Sequence, residues 1–415
     1  MKTYSTDTSK TLFERAVRVI PAGIPGHVGP VNSQFIPVSA FPYYADRVKD
    51  SYFWDLDGNR YIDYMCAYGP NVLGYNNDLV DKAAADQRKK GDCMALPGKV
   101  QVELAELLVD TIEIADWAFF MKNGGDATNF AVMIARAATG REKVIRVEQG
   151  YHGVAPWMQS YGAAGVTGAD VSCNLMVPWN DLKAAERVLE ENPGQVAAFI
   201  STPYQHGVFG DNSLPAEGYW RGIRALCDKH GVVLIIDDVR CGFRLDLAGS
   251  AAYFGFKPDL SCYCKALANG YNISAVVGVD SLKAAAASVF YTGSYWHSAV
   301  PMAAAIATIK RLKELDGAKM MIEKGKKLTQ GLVAAGKKHG IDMKISGVPS
   351  MFYMRITNDD SLMMHQRFCA ECVKRGVFFV SHHNHFINCS LSDEDIAHTL
   401  EVADEAFKVV AELNG

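Results

Sequence analysis

The chain has 415 residues, 49% of them apolar and 21% charged, with a formal net charge of −4 at pH 7. That length suits one large domain plus a smaller one, and the composition excludes a disordered or fibrous chain. With 42 basic against 46 acidic residues, there is no cationic excess for a nucleic-acid partner.

No apolar run is long enough to cross a bilayer, and the start MKTYSTDTSKTLFERA lacks the apolar core of a signal peptide. The expectation is a cytoplasmic protein with no membrane partner. Ten cysteines are scattered through apparent strands and helices, and reduced thiols are expected. Cys262 and Cys264 alternate along a strand, and Cys369 and Cys372 lie one helical turn apart. Neither pair has the second half of a zinc site.

In chain order, YFWDLDGNRYIDY (52–64) reads as two short strands around an Asp-Gly turn. NFAVMIARAATGR after Asn123-Gly124-Gly125 reads as a helix. VAAFIS (196–201) and VVLIID (232–237) are continuous apolar strands separated by a helix over 216–230. DLSCYC (259–264) and SAVVGV (274–279) follow, then helix-forming sequence from Ser281. Crossovers of this kind imply right-handed βαβ units, hence an α/β fold with a doubly wound, mainly parallel sheet in the large domain. Helices over 302–315 and 317–339, a strand at 350–356, a helix near 361–375, a strand at 377–380 and a last helix from Ser392 suggest a smaller α+β domain. The expected division is 1–60 with 301–415 for the small domain and 61–300 for the large one.

Lys265, in SCYCKALANG, stands at the end of an apolar strand, where doubly wound sheets bind ligands. The plain alternative is a lysine that ends a strand and reaches solvent. Asp237 closes a strand expected to be central and buried, and a carboxylate there needs a cationic partner. Two chemistries fit: metal binding, or pairing with a protonated pyridine nitrogen. The chain has no G-x-x-x-x-G-K-[ST] loop, the usual companion of the metal reading. A lysine one step after Asp237 supplies what pyridoxal phosphate requires, an amine for the Schiff base and an acid for the ring nitrogen. Asn123, Gly124 and Gly125 before a helix offer backbone N–H groups to its phosphate. Tyr151 or His152 could stack on its ring.

These residues resemble the class III aminotransferase family of fold type I pyridoxal phosphate enzymes, and within it the glutamate-1-semialdehyde aminomutase-like branch. The resemblance runs through LFERAVRVIPAG, WDLDGNRYIDYMCAYGPNVLGY, NGGDATNFAVMIARAATGR, GYHG, IIDDVRCGFR, PDLSCYCKALANG, TGSYWHSAVPMAAA and LSDEDI. It implies that Lys265 forms the Schiff base and transfers protons, that Asp237 holds the pyridinium, and that Val239 and Tyr151 lie on opposite ring faces. It implies phosphate contacts from Asn123, Gly124 and Gly125, with Ser294 reaching in from the neighbouring subunit of a homodimer with shared active sites.

The departures from the family pattern concern substrate. The Glu-Pro pair before the pyridine aspartate is Thr202-Pro203 here, the family's N-terminal arginine falls at about Gly29, and SHHNHFINCS contains no arginine. Tyr68, Thr202, His206, Arg240 and His383 are candidate substrate contacts. For His206 the default is an exposed loop residue; for Arg240, a surface ion pair with Asp238 or Asp246. The group His382, His383 and His385 lacks helical metal-ligand spacing and reads as a polar lining or as loop histidines. No metal is expected. The expected function is transfer of an amino group between small-molecule amines and carbonyl compounds, the substrate being neutral or polyhydroxylated, as in a sugar or aminocyclitol. An aminomutase, racemase or lyase is the alternative on the same cofactor, and an inactive binding protein on the same fold is the second.

Overall fold

The computed structural model describes residues 3–24, 40–207 and 210–414; the position at Gly29 lies outside them. The chain divides into two compact units, one of residues 1–77, 208–212 and 320–415, the other of 78–207 and 213–319. Both divisions fall later in the chain than 60/61 and 300/301. Residues 61–77 stay with the first unit because Tyr64 is hydrogen-bonded to Thr399 and the backbone of Tyr75 to that of Asp50.

In chain order the first unit begins with α1 (Asp7–Ala16) and strands β1 (Ala45–Lys49), β2 (Tyr52–Asp55) and β3 (Arg60–Asp63). The antiparallel hairpin β2–β3 is the one expected from its Asp-Gly turn, where Gly58 takes φ +78°.

The second unit comprises α2 (Asp78–Lys90), α3 (Lys99–Thr111), β4 (Trp117–Met121), α4 (Gly124–Thr139), β5 (Lys143–Val147), α5 (Gly168–Val171), β6 (Asn174–Val177) and α6 (Leu182–Glu191). It continues through β7 (Val196–Ser201), α7 (Tyr219–His230), β8 (Val233–Asp237), α8 (Ser250–Phe254), β9 (Leu260–Tyr263), β10 (Ser274–Gly278), α9 (Lys283–Ser288) and α10 (Ala299–Leu315). Its sheet has the order β4-β10-β9-β8-β7-β5-β6. Strands β6, β5, β7, β8 and β9 are mutually parallel, and β10 runs antiparallel to both β9 and β4.

The antiparallel β9–β10 pair corrects the expectation of a crossover between those strands. Only residues 264–273 join them, too few for a packed helix.

The pleat explains why β7 and β8 read as unbroken apolar runs. Ala198, Ile200, Val233 and Ile235 face a cluster built on Phe130, Ala131 and Ile134 of α4, while Phe199, Leu234 and Ile236 face Leu189 of α6 and Trp220 and Ile223 of α7. Both faces are covered, so neither tolerates a polar residue until the strand ends. Asp237 is that end, on the pleat face of Ile235.

The first unit resumes with α11 (Gly317–Lys338), β11 (Met343–Val348), β12 (Met351–Ile356), α12 (Met363–Val373), β13 (Val377–Phe378), β14 (His385–Phe386) and α13 (Asp393–Asn414). One sheet, β1-β2-β3-β13, joins N-terminal strands to a C-terminal one, and a second has the order β11-β12-β14. The smaller α+β unit is thus built from both ends of the chain. Among the described residues, no helix is long and apolar enough to cross a membrane.

Candidate active site

Asp237 is buried, and both its carboxylate oxygens are engaged from within the second unit. The backbone N–H of Val239 donates to Oδ1 at 3.1 Å, and His152 Nδ1 lies 2.7 Å from Oδ2. A carboxylate has only lone pairs to offer, so Nδ1–H is the donor. His152 is 2% exposed, and its Nε2 is buried without a hydrogen-bond partner. The sequence offered His152 as a stacking residue; in the structure its imidazole is hydrogen-bonded to the Asp237 carboxylate.

The loop carrying His152 is held from three sides. Thr128 of α4 donates its hydroxyl to the His152 carbonyl at 2.5 Å. Arg146, in the interior of β5, is 5% exposed and spends its guanidinium on the carbonyls of Met158 at 2.6 Å, Gly150 at 3.3 Å and Trp157 at 3.3 Å. Gly150 must lack a side chain, since a Cβ there would stand 2.9 Å from His152 Nε2. Sequence reasoning missed Thr128 and Arg146. An arginine inside an otherwise apolar strand was the signal available for the second.

Lys265 follows β9 and opens a single 3₁₀ turn with φ +39°, a left-handed conformation that costs a side-chain-bearing residue about 1–3 kcal/mol. Burial, and next the positive charge of Arg240, push its ammonium down to about 8. Removal of water disfavours the charged form, so the amine is available as a base near neutral pH. Asp237 is among the charges acting on it.

Helix α4 begins with Gly124 and Gly125 in its first turn and Asn123 as its N-cap. The Asp126 carboxylate accepts the Asn123 N–H at 2.8 Å. A Cβ on Gly124 would come within 2.7 Å of Val239 Cγ1, and one on Gly153, at φ +116°, within 2.6 Å of the Gly125 Cα. The glycines let two backbone segments and Val239 close around the helix N-terminus, where backbone N–H groups attract an anion.

Of the remaining candidates, Tyr151 is 63% exposed, with its ring available to stack. Ser294 is exposed and its carbonyl accepts from the Cys93 thiol. Thr202 donates its hydroxyl to the Tyr204 carbonyl at 2.9 Å. His206 corrects the exposed-loop default, because it is buried and bonded to Arg240. Of the two partners expected for Arg240, Asp238 is buried against the Ser250 N–H and the Tyr263 hydroxyl, and burial pushes it up to about 6, while Asp246 accepts the Ala248 N–H at 2.8 Å.

Tyr68 and His383 belong to the first unit, where their rings meet edge to face at 5.1 Å. His382, His383 and His385 are buried, the first two in the loop before β14, and His385 Nε2 accepts the Val380 N–H at 3.1 Å. Among the described residues, no group of three His, Cys, Asp or Glu side chains could hold a metal.

The second unit's residues fit pyridoxal phosphate: a buried carboxylate with fixed lone pairs, an amine of lowered basicity, and a helix N-terminus opened by two glycines. The ten cysteines are free thiols.

Comparison with known proteins agrees with that chemistry. The chain is 40% identical over 401 residues to an aminopentol aminotransferase of Sphingopyxis macrogoltabida, covering 97% of this chain and 94% of that protein. It is 30% identical to a glutamate-1-semialdehyde 2,1-aminomutase of Desulforamulus reducens, with 98% and 99% covered. The pyridoxal phosphate internal aldimine form of the FumI protein from Sphingopyxis sp. MTA144 superposes with a TM-score of 0.94 at 39% identity, covering 97% of this chain and 96% of that one. The family pattern described as "Aminotransferase class-III" matches residues 36–407. The chain belongs to the class III aminotransferases, which use pyridoxal phosphate.

Proposed function

We propose that this enzyme moves an amino group between a neutral, hydroxylated amine and a small carbonyl compound, with Lys265 as the residue that carries the cofactor and moves the proton. The observation that carries this reading is the pairing of a lysine of lowered basicity with a buried, doubly held carboxylate at the ends of adjacent strands β9 and β8. Pyridoxal phosphate supplies an aldehyde carbon that takes up the amine and a protonated ring that draws electrons from Cα.

The chain's own residues do the rest. Asp237, oriented by His152 and Val239, holds the proton on the ring nitrogen. The Gly124 and Gly125 N–H groups in the first turn of α4, with the Asn123 side chain, would hold the phosphate, and Val239 and Tyr151 would contact the ring. Lys265, partly neutral near pH 8, would take the proton from the substrate Cα and deliver it to the former aldehyde carbon, on the other side of the amino nitrogen.

For the substrate, the name of the 40% identical relative speaks of an amine that carries several hydroxyls. The hydroxyl of Thr202 suits such a molecule. We also propose a homodimer with shared sites. Ser294 lies in an exposed stretch with Phe290, 90% exposed, and Tyr295, 67% exposed, a surface suited to a second copy whose phosphate the Ser294 hydroxyl would reach. The free thiols suit the reducing cytoplasm.

The test is to load the purified enzyme with pyridoxal phosphate and compare amino polyols with glutamate-1-semialdehyde, using pyruvate as acceptor and measuring alanine. Alanine formed from amino polyols is the expected result. A much higher kcat/KM for glutamate-1-semialdehyde, with no net alanine, would make the chain an aminomutase instead.

A further inference from the structure

Arg240 stands three residues after Asp237, on the segment that leaves β8. Its Nη1 lies 3.1 Å from His206 Nδ1 and donates to the His206 carbonyl at 3.0 Å. A guanidinium has five N–H donors and no lone pair, so His206 Nδ1 must accept. That assigns the imidazole: neutral, with its one proton on Nε2. The surroundings push the same way, since burial and then the Arg240 charge hold the His206 pKa well below its ordinary value.

The Nε2–H so defined is a buried donor with no partner, on a side chain 9% exposed. Leaving a buried donor unsatisfied is costly, and a bound acceptor would recover that cost. Groups of the site already described act on this pair. Asp237 and Tyr151 act on Arg240, His152 and Lys265 act on His206, and Arg240 acts on Lys265. A fixed cation and an oriented neutral donor, side by side, make a match for an oxygen that carries negative charge.

We propose that Arg240 and His206 form an oxyanion-binding pair that receives an anionic oxygen of whatever is bound at Lys265. This rests on the assignment of Lys265 above. Two sources share that chemistry: the carboxylate of an amino-acid donor or 2-oxo-acid acceptor, and the phenolate oxygen of the cofactor ring. Carboxylate recognition here would give the enzyme a place for an acidic co-substrate although both positions where the family supplies an arginine lack one. The amine partner can then remain neutral.

Three variants test the proposal: Arg240→Gln removes the charge, Arg240→Lys keeps the charge but loses the fork, and His206→Phe removes the second donor. The readouts are the equilibrium dissociation constant of pyridoxal phosphate, from tryptophan fluorescence of the apo chain, and KM for pyruvate against KM for the amine. A carboxylate source predicts a tenfold or greater rise in KM for pyruvate in Arg240→Gln and His206→Phe, with cofactor affinity and amine KM held within about twofold. A phenolate source predicts a tenfold or greater loss of cofactor affinity in the same two variants. Either source predicts that Arg240→Lys recovers part of the effect. If both quantities stay within twofold, or if only the melting temperature falls, the pair is a structural link and the proposal is overturned. Borohydride trapping of the cofactor on Lys265 in each variant separates this failure from that of the parent reading, because the trap requires the lysine and not the pair.

Discussion

His152 Nδ1 donates to Asp237 Oδ2 across 2.7 Å, with both side chains buried. The contact links the loop after β5 to the end of β8, and it leaves each carboxylate oxygen a second lone pair for a ring proton. Removing the imidazole strands a buried carboxylate, so His152→Ala is expected to lower stability by about 1–3 kcal/mol and to weaken cofactor affinity. Thermal melting of the apo chain and a cofactor titration read the two effects separately. His152→Asn, which can keep one donor, should recover part of both.

Asp237→Asn replaces a charge with a neutral amide of the same shape. The ring nitrogen would lose its counter-charge, and amino transfer should fall by about 100-fold or more. The fold should survive, since the uncharged residue costs less to bury than the carboxylate it replaces. Exchange of the substrate Cα proton for deuterium, followed by NMR, should fall in parallel; unchanged exchange would place the electron sink elsewhere.

Lys265 gives a signed pH dependence. Its folded-state value lies near 8, below the ordinary 10.5, so the unfolded chain binds more protons between those values. Stability of the apo chain therefore gains from this group as pH rises from about 8 towards 10.5, and is penalised below 8, where the buried ammonium must be kept. Acetylation rates at Lys265, followed by peptide mass spectrometry, should titrate with a midpoint near 8. Because the Arg240 charge contributes to the lowering, Arg240→Gln should move that midpoint upward.

Gly153 takes φ +116°, and any Cβ there would strike the backbone of Gly125. Neither can yield without moving the start of α4. Gly153→Ala should cost about 1–3 kcal/mol of stability and reduce cofactor affinity. Gly162→Ala, also at positive φ but with open space around it, serves as the control that carries backbone strain without the collision.

Much of the fold was legible where one physical demand dominates. Strands β7 and β8 are covered on both faces, so VAAFIS and VVLIID contain almost nothing but apolar residues until Asp237. The direction of β10 was not read, because a fully buried strand has the same composition whether parallel or antiparallel; the turn signal available in the joining segment was Asn269-Gly270, at φ +46° and +101°. Strands β13 and β14, two residues each, are too short to show a period. At the site, Lys265 and Asp237 stand out because a charge at the end of an apolar run demands a reason. The partners of Asp237 and Arg240 do not: His152 lies 85 positions from Asp237 and His206 lies 34 from Arg240. Only the folded sheet brings them together. The burial of His382, His383 and His385 was not legible for a related reason, since nothing in SHHNHF reveals that the segment is covered.

The most direct measurement is reduction of the cofactor-loaded enzyme with borohydride, followed by proteolysis and peptide mass spectrometry. One pyridoxyl adduct per chain is expected, on Lys265, and none in Lys265→Ala, which should still fold and lose amino transfer. An adduct on another lysine, or amino transfer retained by Lys265→Ala, would contradict the assignment of Lys265.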